Sequence, residues 1–434
     1  MFRIKPEYKR ILENIFSLSL LNGINYVFPI ILIPYLTKVL GLQNYGKYAF
    51  SYSIILYFTL IVNYGFDLSA TKRIAINKFD KTKIQNIFSA VIVARLLLAL
   101  LSSVLLIIFT YLFSTNFYDY YLYLAGIGFI LSSAIHPVWL YQGLEKMKYI
   151  TLISFLSRAS TLLLIILLVK SSEDYIYVNL YYAIGLLLAS LISFLIATIQ
   201  FKFKLFLPKW KDVKFEFIDG WQIFLSTIFM NFYRNSNIVI LGAVSTYEVV
   251  ALYAAGEKII KAFQALVSPI AAALFPFFGG QFGSGLNKTG IVQFKRFAKI
   301  YFVLLLIISV FILFFSYPLI NYYLPSEFAK AITNIKIMSF VIVFGGLNYF
   351  YGINGLINMG FQKQFTISVF IAGFFNLIIC YFLSLYFRDI GASIAMLVTE
   401  ILLFIFIYFY FIKFIKSKQY VSKSISYNSQ LERH

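Results

Sequence analysis

Apolar runs of about 20 to 30 residues recur along the whole chain, separated by polar connections that are mostly much shorter. At a rise of about 1.5 Å per residue, roughly 20 apolar residues cross the ~30 Å hydrocarbon core of a bilayer. Twelve such runs are drawn, over residues 14–36, 48–66, 86–113, 120–141, 150–169, 176–200, 217–243, 249–279, 298–320, 331–358, 364–386 and 391–415. The pattern predicts an all-α polytopic membrane protein with about twelve transmembrane helices.

The polar positions between the runs support that reading. Of the 37 Lys and Arg residues, 26 fall in alternate connections. These are Arg3–Arg10, Lys72–Lys83, Lys146 with Lys148, Lys202–Lys214, Lys288–Lys299, Lys363, and the tail from Lys413. The opposite side holds only Lys38, Lys47, Lys170, Lys330 and Arg388. Basic loops are retained in the cytoplasm during insertion, so both termini are expected to be cytoplasmic. The first run follows a basic stretch, as a secretion signal would. It lacks an A-x-A-like cleavage site and runs too long, so it is expected to stay as the first helix.

Composition narrows the class. The chain is 61% hydrophobic and 12% charged, against roughly 45–50% and about 25% for a soluble domain. A formal charge of +20 would point to nucleic acid in a soluble protein. In a polytopic protein it reflects the retained loops and their attraction to anionic lipid, so membrane lipids are expected as partners and nucleic acid is not. Cys380 is the one cysteine, and the histidines are His136 and His434. That set excludes a disulfide and offers neither a metal centre nor an evident cofactor site. No nucleophile motif or phosphate loop is present, and the outer connections are too short for a catalytic domain. Enzymatic activity is not expected.

The longest polar connection, Lys202–Glu216, interleaves five lysines with Phe203, Phe206, Trp210 and Phe215. It reads as an amphipathic segment on the inner leaflet. It divides the chain into an N-terminal six-helix bundle (1–200), a cytoplasmic linker (201–216), a C-terminal six-helix bundle (217–416) and a basic cytoplasmic tail (417–434). The halves carry short likenesses: Leu40-Gly41 before Tyr48-Ala49 against Leu241-Gly242 before Tyr253-Ala254, and Gly143–Lys146 against Gly360–Lys363. Six helices is an even number, so the repeats would share orientation and relate by a pseudo-twofold axis along the membrane normal. Pro29, Pro34, Pro137, Pro269, Pro276 and Pro318 fall inside the runs. Such breaks persist where protein or a water-filled cavity takes up the freed carbonyls.

Charges inside the runs carry the candidate chemistry. Arg95, Arg158, Arg234, Lys258, Lys261 and Lys336 lie there, and a cation at the bilayer centre costs roughly 2.5–3.5 kcal/mol on insertion scales. Arg95 sits about 15 Å inside its run. Arg234 shares one helix face with Thr227 and Asn231 through i, i+4, i+7 spacing. Two bland readings stand beside these: Lys336 is near enough to the outer end to snorkel, and Glu257 and Lys261 at i, i+4 can neutralise each other. Only Glu257 and Glu400 are clearly intramembrane acids, so the runs hold an excess of cations. A cavity with that excess attracts anions, and the planar fork of arginine suits phosphate. The candidate substrate contacts are therefore Arg95, Arg158, Arg234, Lys258, Asn231 and Thr227. Glu400 and Glu257 are the acids of these runs, and His136 beside Pro137 is a further titratable group.

At these residues the chain resembles the polysaccharide flippases (Wzx type) of the multidrug/oligosaccharidyl-lipid/polysaccharide exporter superfamily. The likeness is carried by Asn22-Gly23-Ile24-Asn25 through Pro29 and Pro34 to Leu40-Gly41, by Tyr45-Gly46, by Trp139–Lys146, and by Leu241-Gly242 with Tyr253 and Lys258. The resemblance implies a MATE-like pair of six-helix bundles around a central cavity, in the bacterial inner membrane. It also implies an undecaprenyl-pyrophosphate-linked oligosaccharide as substrate and H+ or Na+ as coupling ion, for which the candidate ion-coupling groups are Glu400 and Glu257, with His136 a weaker one. A polysaccharide polymerase and a chain-length regulator are the implied working partners. Two other members of the superfamily remain as alternatives. An ion-coupled drug or metabolite antiporter would be expected to place acids in its cavity. A lipid-linked peptidoglycan precursor flippase usually carries two more helices than are drawn here.

Overall fold

The computed structural model describes the backbone of residues 6–114, 117–283 and 288–431, with side chains over the same range except 6–19, 21–22, 25–27, 117–118, 233–234, 283, 288 and 416–431. The described residues are almost wholly helical. Helix α1, Pro6–Asn63, contains a break at Gly41 (φ 71°), which separates the first two apolar runs. Tyr64 and Gly65 both adopt positive φ and turn the chain into α2, Phe66–Ile76. Glycine enters that left-handed region at little cost, so a reversal at the end of an apolar run falls naturally there. Next come α3 (Lys81–Phe113), α4 (Phe117–Leu124), α5 (Gly126–Ile135), α6 (Val138–Gly143), α7 (Met147–Leu168) and α8 (Tyr175–Leu195). The run drawn at 120–141 is thus built from three short helices, the last two parted at His136-Pro137.

After a stretch without helix, α9 spans Trp210–Val244 and α10 spans Tyr247–Gly283. They are followed by α11 (Lys288–Tyr323), α12 (Ala331–Tyr349, extended by a wider turn over Phe350–Ile357) and α13 (Gln362–Leu431). Helix α13 breaks at Arg388 (φ 52°), between the two apolar runs drawn there.

Among the described residues, nine stretches are long and apolar enough to cross a membrane. The number is below twelve for two physical reasons. Phe28–Ile76 and Gln362–Ile415 are 49 and 54 residues long and contain the breaks at Gly41 and Arg388. Helix α9 adds no span of that length among the described residues, because Glu216, Asp219, Gln222 and Asn231 lower the hydropathy of its earlier turns.

Burial runs opposite to that of a water-soluble fold. Leu100, Leu163, Ile307 and Phe314 are exposed, while Ser89, Ser102, Thr110, Asn179, Ser190 and Ser193 are buried. Apolar outer faces with small and polar residues between helices fit a hydrocarbon solvent. The chain forms two compact units, which divide inside α9. Unit 1 runs to Ile228 and takes in Thr246–Ala251; unit 2 comprises Phe229–Ser245 and the chain from Leu252. At one end of unit 1, Phe66, Phe88, Trp139 and Tyr141 form a buried aromatic core that also holds Phe203. Ser89 Oγ pins the connection by donating to the Lys204 carbonyl and accepting from the Phe206 amide, both at 3.3 Å.

A charged cavity in unit 1

A cavity of about 330 Å³ lies inside unit 1, bounded by residues of α1, α2, α3, α5, α6, α7 and α8. Its charged side chains follow from the local backbone. Pro137 has no N–H to offer the Ser133 carbonyl four residues earlier. Arg95 of α3 fills that gap: its Nη1 donates to the carbonyls of Ser133 (3.0 Å) and His136 (3.1 Å). Its Nη2 donates to Asp67 Oδ1 at 2.5 Å. Asp67 is brought there by the Tyr64-Gly65 reversal, in the first turn of α2, where the helix N-terminus favours an acid. The Arg95 side chain is 2% exposed and that of Asp67 is 43% exposed. Both line the cavity, with Arg95 the more deeply set of the two.

Arg158 reaches the same cavity from α7, with Ser154, Ser157 and Thr161 on neighbouring turns. It interacts electrostatically with the phenols of Tyr52 and Tyr182. Those two rings and Phe129 make an aromatic wall, with centroids 5.6 to 6.4 Å apart. Ser132 and Ser190 join α5 to α8 through a 2.6 Å hydroxyl pair, and His136 Nδ1 meets Ser193 Oγ at 2.9 Å. His136 is thus a packed helix-end residue at the rim of the Pro137 break.

Unit 2 holds the other candidates. Glu257 is 4% exposed and pairs with Lys261 at 3.1 Å, the i, i+4 neutralisation expected from spacing. Lys261 Nζ donates to Asn235 Oδ1 (3.3 Å), and Asn235 Nδ2 donates to Asn231 Oδ1 (3.0 Å). Lys258 is half-buried on the same helix as Glu257. Glu400 accepts from Asn348 Nδ2 at 2.6 Å, and its carbonyl accepts from the same amide. A second cluster is built from neutral groups. Asn376 donates to Asn237 Oδ1 (2.8 Å) and Ser236 Oγ (3.2 Å), Thr399 donates to Asn376 Oδ1 (2.9 Å), and Asn237 donates to Tyr253 OH (3.0 Å).

The structure thus brings Arg95 and Arg158 to one cavity. Thr227 lies in unit 1, where its hydroxyl donates to the Ile223 carbonyl at 2.8 Å. Asn231, Lys258, Glu257 and Glu400 belong to unit 2. Arg234 lies within α9, with its side chain outside the described residues. Sequence reasoning missed Asp67, because the second run was ended at residue 66. The glycine at 65, just inside the end of that run, is the signal that marks the turn. Lys336 is exposed, in keeping with a snorkelling cation.

Outside the apolar spans, Arg73 of α2 pairs with Glu216 and, at 3.4 Å, with Asp219. Burial pushes the Glu216 carboxyl up to about 7, although Arg73 beside it pulls the other way.

Long helices with apolar outer faces, buried polar contacts between them and a charged cavity define a multi-pass membrane protein. The chain matches the family described as "Polysaccharide biosynthesis protein" over residues 11–281, and it belongs to that family. It is 28% identical over 391 residues to a "Putative O-antigen transporter" of Escherichia coli (strain K12), across 90% of this chain and 94% of that one. A protein of the same description from Shigella dysenteriae is 26% identical over 398 residues, covering 91% and 98%. Among solved structures, the lipid II flippase MurJ in an inward closed conformation superposes with a TM-score of 0.74 at 13% identity, over 92% of this chain and 87% of that one. An inward-facing multidrug resistance MATE family transporter of the MOP superfamily gives 0.68 at 15% identity, over 93% and 99%. These two likenesses establish the fold.

Proposed function

We propose that this protein is a flippase that moves polyprenyl-pyrophosphate-linked oligosaccharide repeat units from the cytoplasmic to the periplasmic leaflet by alternating access. The observation that carries the reading is the unit 1 cavity, lined by Arg158, hydroxyls and aromatic rings, in a member of a polysaccharide biosynthesis family. The relatives described as O-antigen transporters point to the same class of substrate. Splitting the two broken spans and adding α9 yields twelve crossings, in two groups of six. The basic loops then put both termini and Lys202–Glu216 in the cytoplasm. Arg158 is a proposed anion contact, with Lys258, Asn231, Thr227 and Arg234 serving the remainder of the substrate. H+ or Na+ is the proposed coupling ion. Glu257 is committed to its ion pair with Lys261, so Glu400, held by the Asn348 amide, is the preferred coupling group.

Deletion of the gene and complementation at matched membrane levels test this reading. The deletion strain is expected to lose surface polysaccharide and accumulate lipid-linked repeat units facing the cytoplasm. Glu400→Gln is expected to insert normally and to slow recovery of the polysaccharide. Full surface polysaccharide in the deletion strain would overturn the flippase reading, and normal rates for Glu400→Gln under every ion gradient would make that carboxylate structural.

A further inference from the structure

The early turns of α9 present one face to α2, within unit 1. Val213, Glu216, Gly220 and Phe224 recur on that face at helical spacing. The first three are buried and Phe224 is half-buried. The face meets α2 at both of its ends. At the turn into α2, the Tyr64 ring stacks on Phe224 with centroids 4.4 Å apart. A Cβ on Gly65 would collide with Ile223, and one on Gly220 would press on Tyr64. In the last turn of α2, the Arg73 guanidinium pairs with Glu216 and, at 3.4 Å, with Asp219. It also lies 5.1 Å from the centroid of the Phe215 ring.

This grip reaches the cavity through α2 itself. Six residues separate Arg73 from Asp67, about 9 Å of helix, and so short a rod moves as one piece. Asp67 is the acid that closes on Arg95 at the cavity. Arg73, Glu216 and Asp219 are not among the described residues that line it. The Arg73 end is held chiefly by charge: Glu216 is 1% exposed, and a buried carboxylate that loses its cation is strongly disfavoured.

We infer that Glu216 and Asp219 are positioning residues for the unit 1 cavity: through Arg73 they hold α2 where Asp67 meets Arg95. The inference rests on the flippase reading for what the cavity carries, and on contacts within unit 1 for everything else. Without the Arg73 clasp the last turn of α2 is loosened, Asp67 draws away from Arg95, and the cavity wall beside Ser133 opens.

A thiol at that wall tests it. Ser133 lines the cavity and is half-buried, so Ser133→Cys in a Cys380→Ala background places a single thiol there. In the detergent-purified full chain, held below its unfolding midpoint, adding Arg73→Gln is expected to make that thiol react with a polar maleimide at least threefold faster. Asp219→Asn, which removes the more exposed carboxylate, should give a smaller rise. Arg73→Glu combined with Glu216→Arg reverses the pair and should bring the rate back towards that of the parent, which loss of packing alone would not do. Surface polysaccharide in the deletion strain, at matched membrane levels, should fall in the same order. A rate in Arg73→Gln that is unchanged or lower than the parent's overturns the inference, and so does a reversed pair that labels no more slowly than Arg73→Gln. If the labelling follows this order while the deletion strain keeps full surface polysaccharide, the brace stands and the flippase reading fails instead.

Discussion

Units 1 and 2 treat buried polarity in different ways. In unit 1 formal charges surround an open space: Arg95 and Asp67 are closed on each other and on the carbonyl freed by Pro137, and Arg158 stands at the void. In unit 2 the Asn376–Asn237–Thr399–Tyr253 cluster is made of amides and hydroxyls bonded mainly to one another, and Glu257 is closed by Lys261. A satisfied neutral network specifies how helices pack, whereas formal charges in an interior are held only where partners answer them. The contrast separates an interior joined by neutral hydrogen bonds from one joined by formal charge around a cavity.

The sharpest way to break the comparison is at Arg95. Arg95→Met leaves Asp67 and the Ser133 carbonyl without their donor, and losing one partner of a buried pair costs about 3–5 kcal/mol. The partial exposure of Asp67 puts the expected loss at the lower end. It should appear as a reduced midpoint in thermal unfolding of the detergent-purified protein, and adding Asp67→Asn should recover much of it. A stable Arg95→Met protein would show that this pair does not hold unit 1 together.

The matching cut in unit 2 is Asn376→Ala, which strips the Asn237 side-chain oxygen of its donor. A buried acceptor left unsatisfied costs about 1–3 kcal/mol, so the same assay should record a smaller fall. Asn376→Asp, which adds a carboxylate among neutral groups, should be worse than the alanine. If it is better tolerated, the cluster accommodates charge and the contrast between the units weakens.

The gentlest effect concerns Glu216, beside Arg73 at the start of α9. Its carboxyl lies above the ordinary value near 4.5, at about 7, chiefly through burial. A raised acid binds its proton more tightly when folded, so its contribution is fully present below about 4.5 and is lost as pH rises through about 7. Stability should therefore decline across that window, and Glu216→Gln should flatten the slope. An unchanged slope would mean that the Arg73 pair cancels the burial.

Much of this was legible before any coordinates. Apolar run lengths located the helices, because a bilayer imposes one length on every crossing. The depth of Arg95 and Arg158 marked them out, and the i, i+4 spacing of Glu257 and Lys261 foretold their pairing. Partners remote in the chain were not legible. Asp67 meets Arg95 across 28 residues, Asn348 meets Glu400 across 52, and Asn237 meets Asn376 across 139. Helical spacing reports neighbours within one or two turns and is silent on which helix packs alongside. Arg95 therefore reads from sequence as an unpaired cation, when its charge is already answered by Asp67.

Helix α9 and the start of α10 have a consequence for how the protein is made. Unit 1 includes Thr246–Ala251, although Phe229–Ser245 belongs to unit 2. Those late residues sit tightly: a Cβ on Gly46 would collide with the Tyr247 carbonyl oxygen, and Lys47 lies over the Tyr247 ring. The first unit is consequently discontinuous, and a ribosome supplies its last piece only after 17 residues of the second have emerged. Synthesis order and assembly order are interleaved. A gene cut within the Phe201–Lys209 connection would yield a first fragment lacking the α9 contacts of Tyr64 and the Tyr247 seat of Gly46, an incomplete half and not a free-standing one.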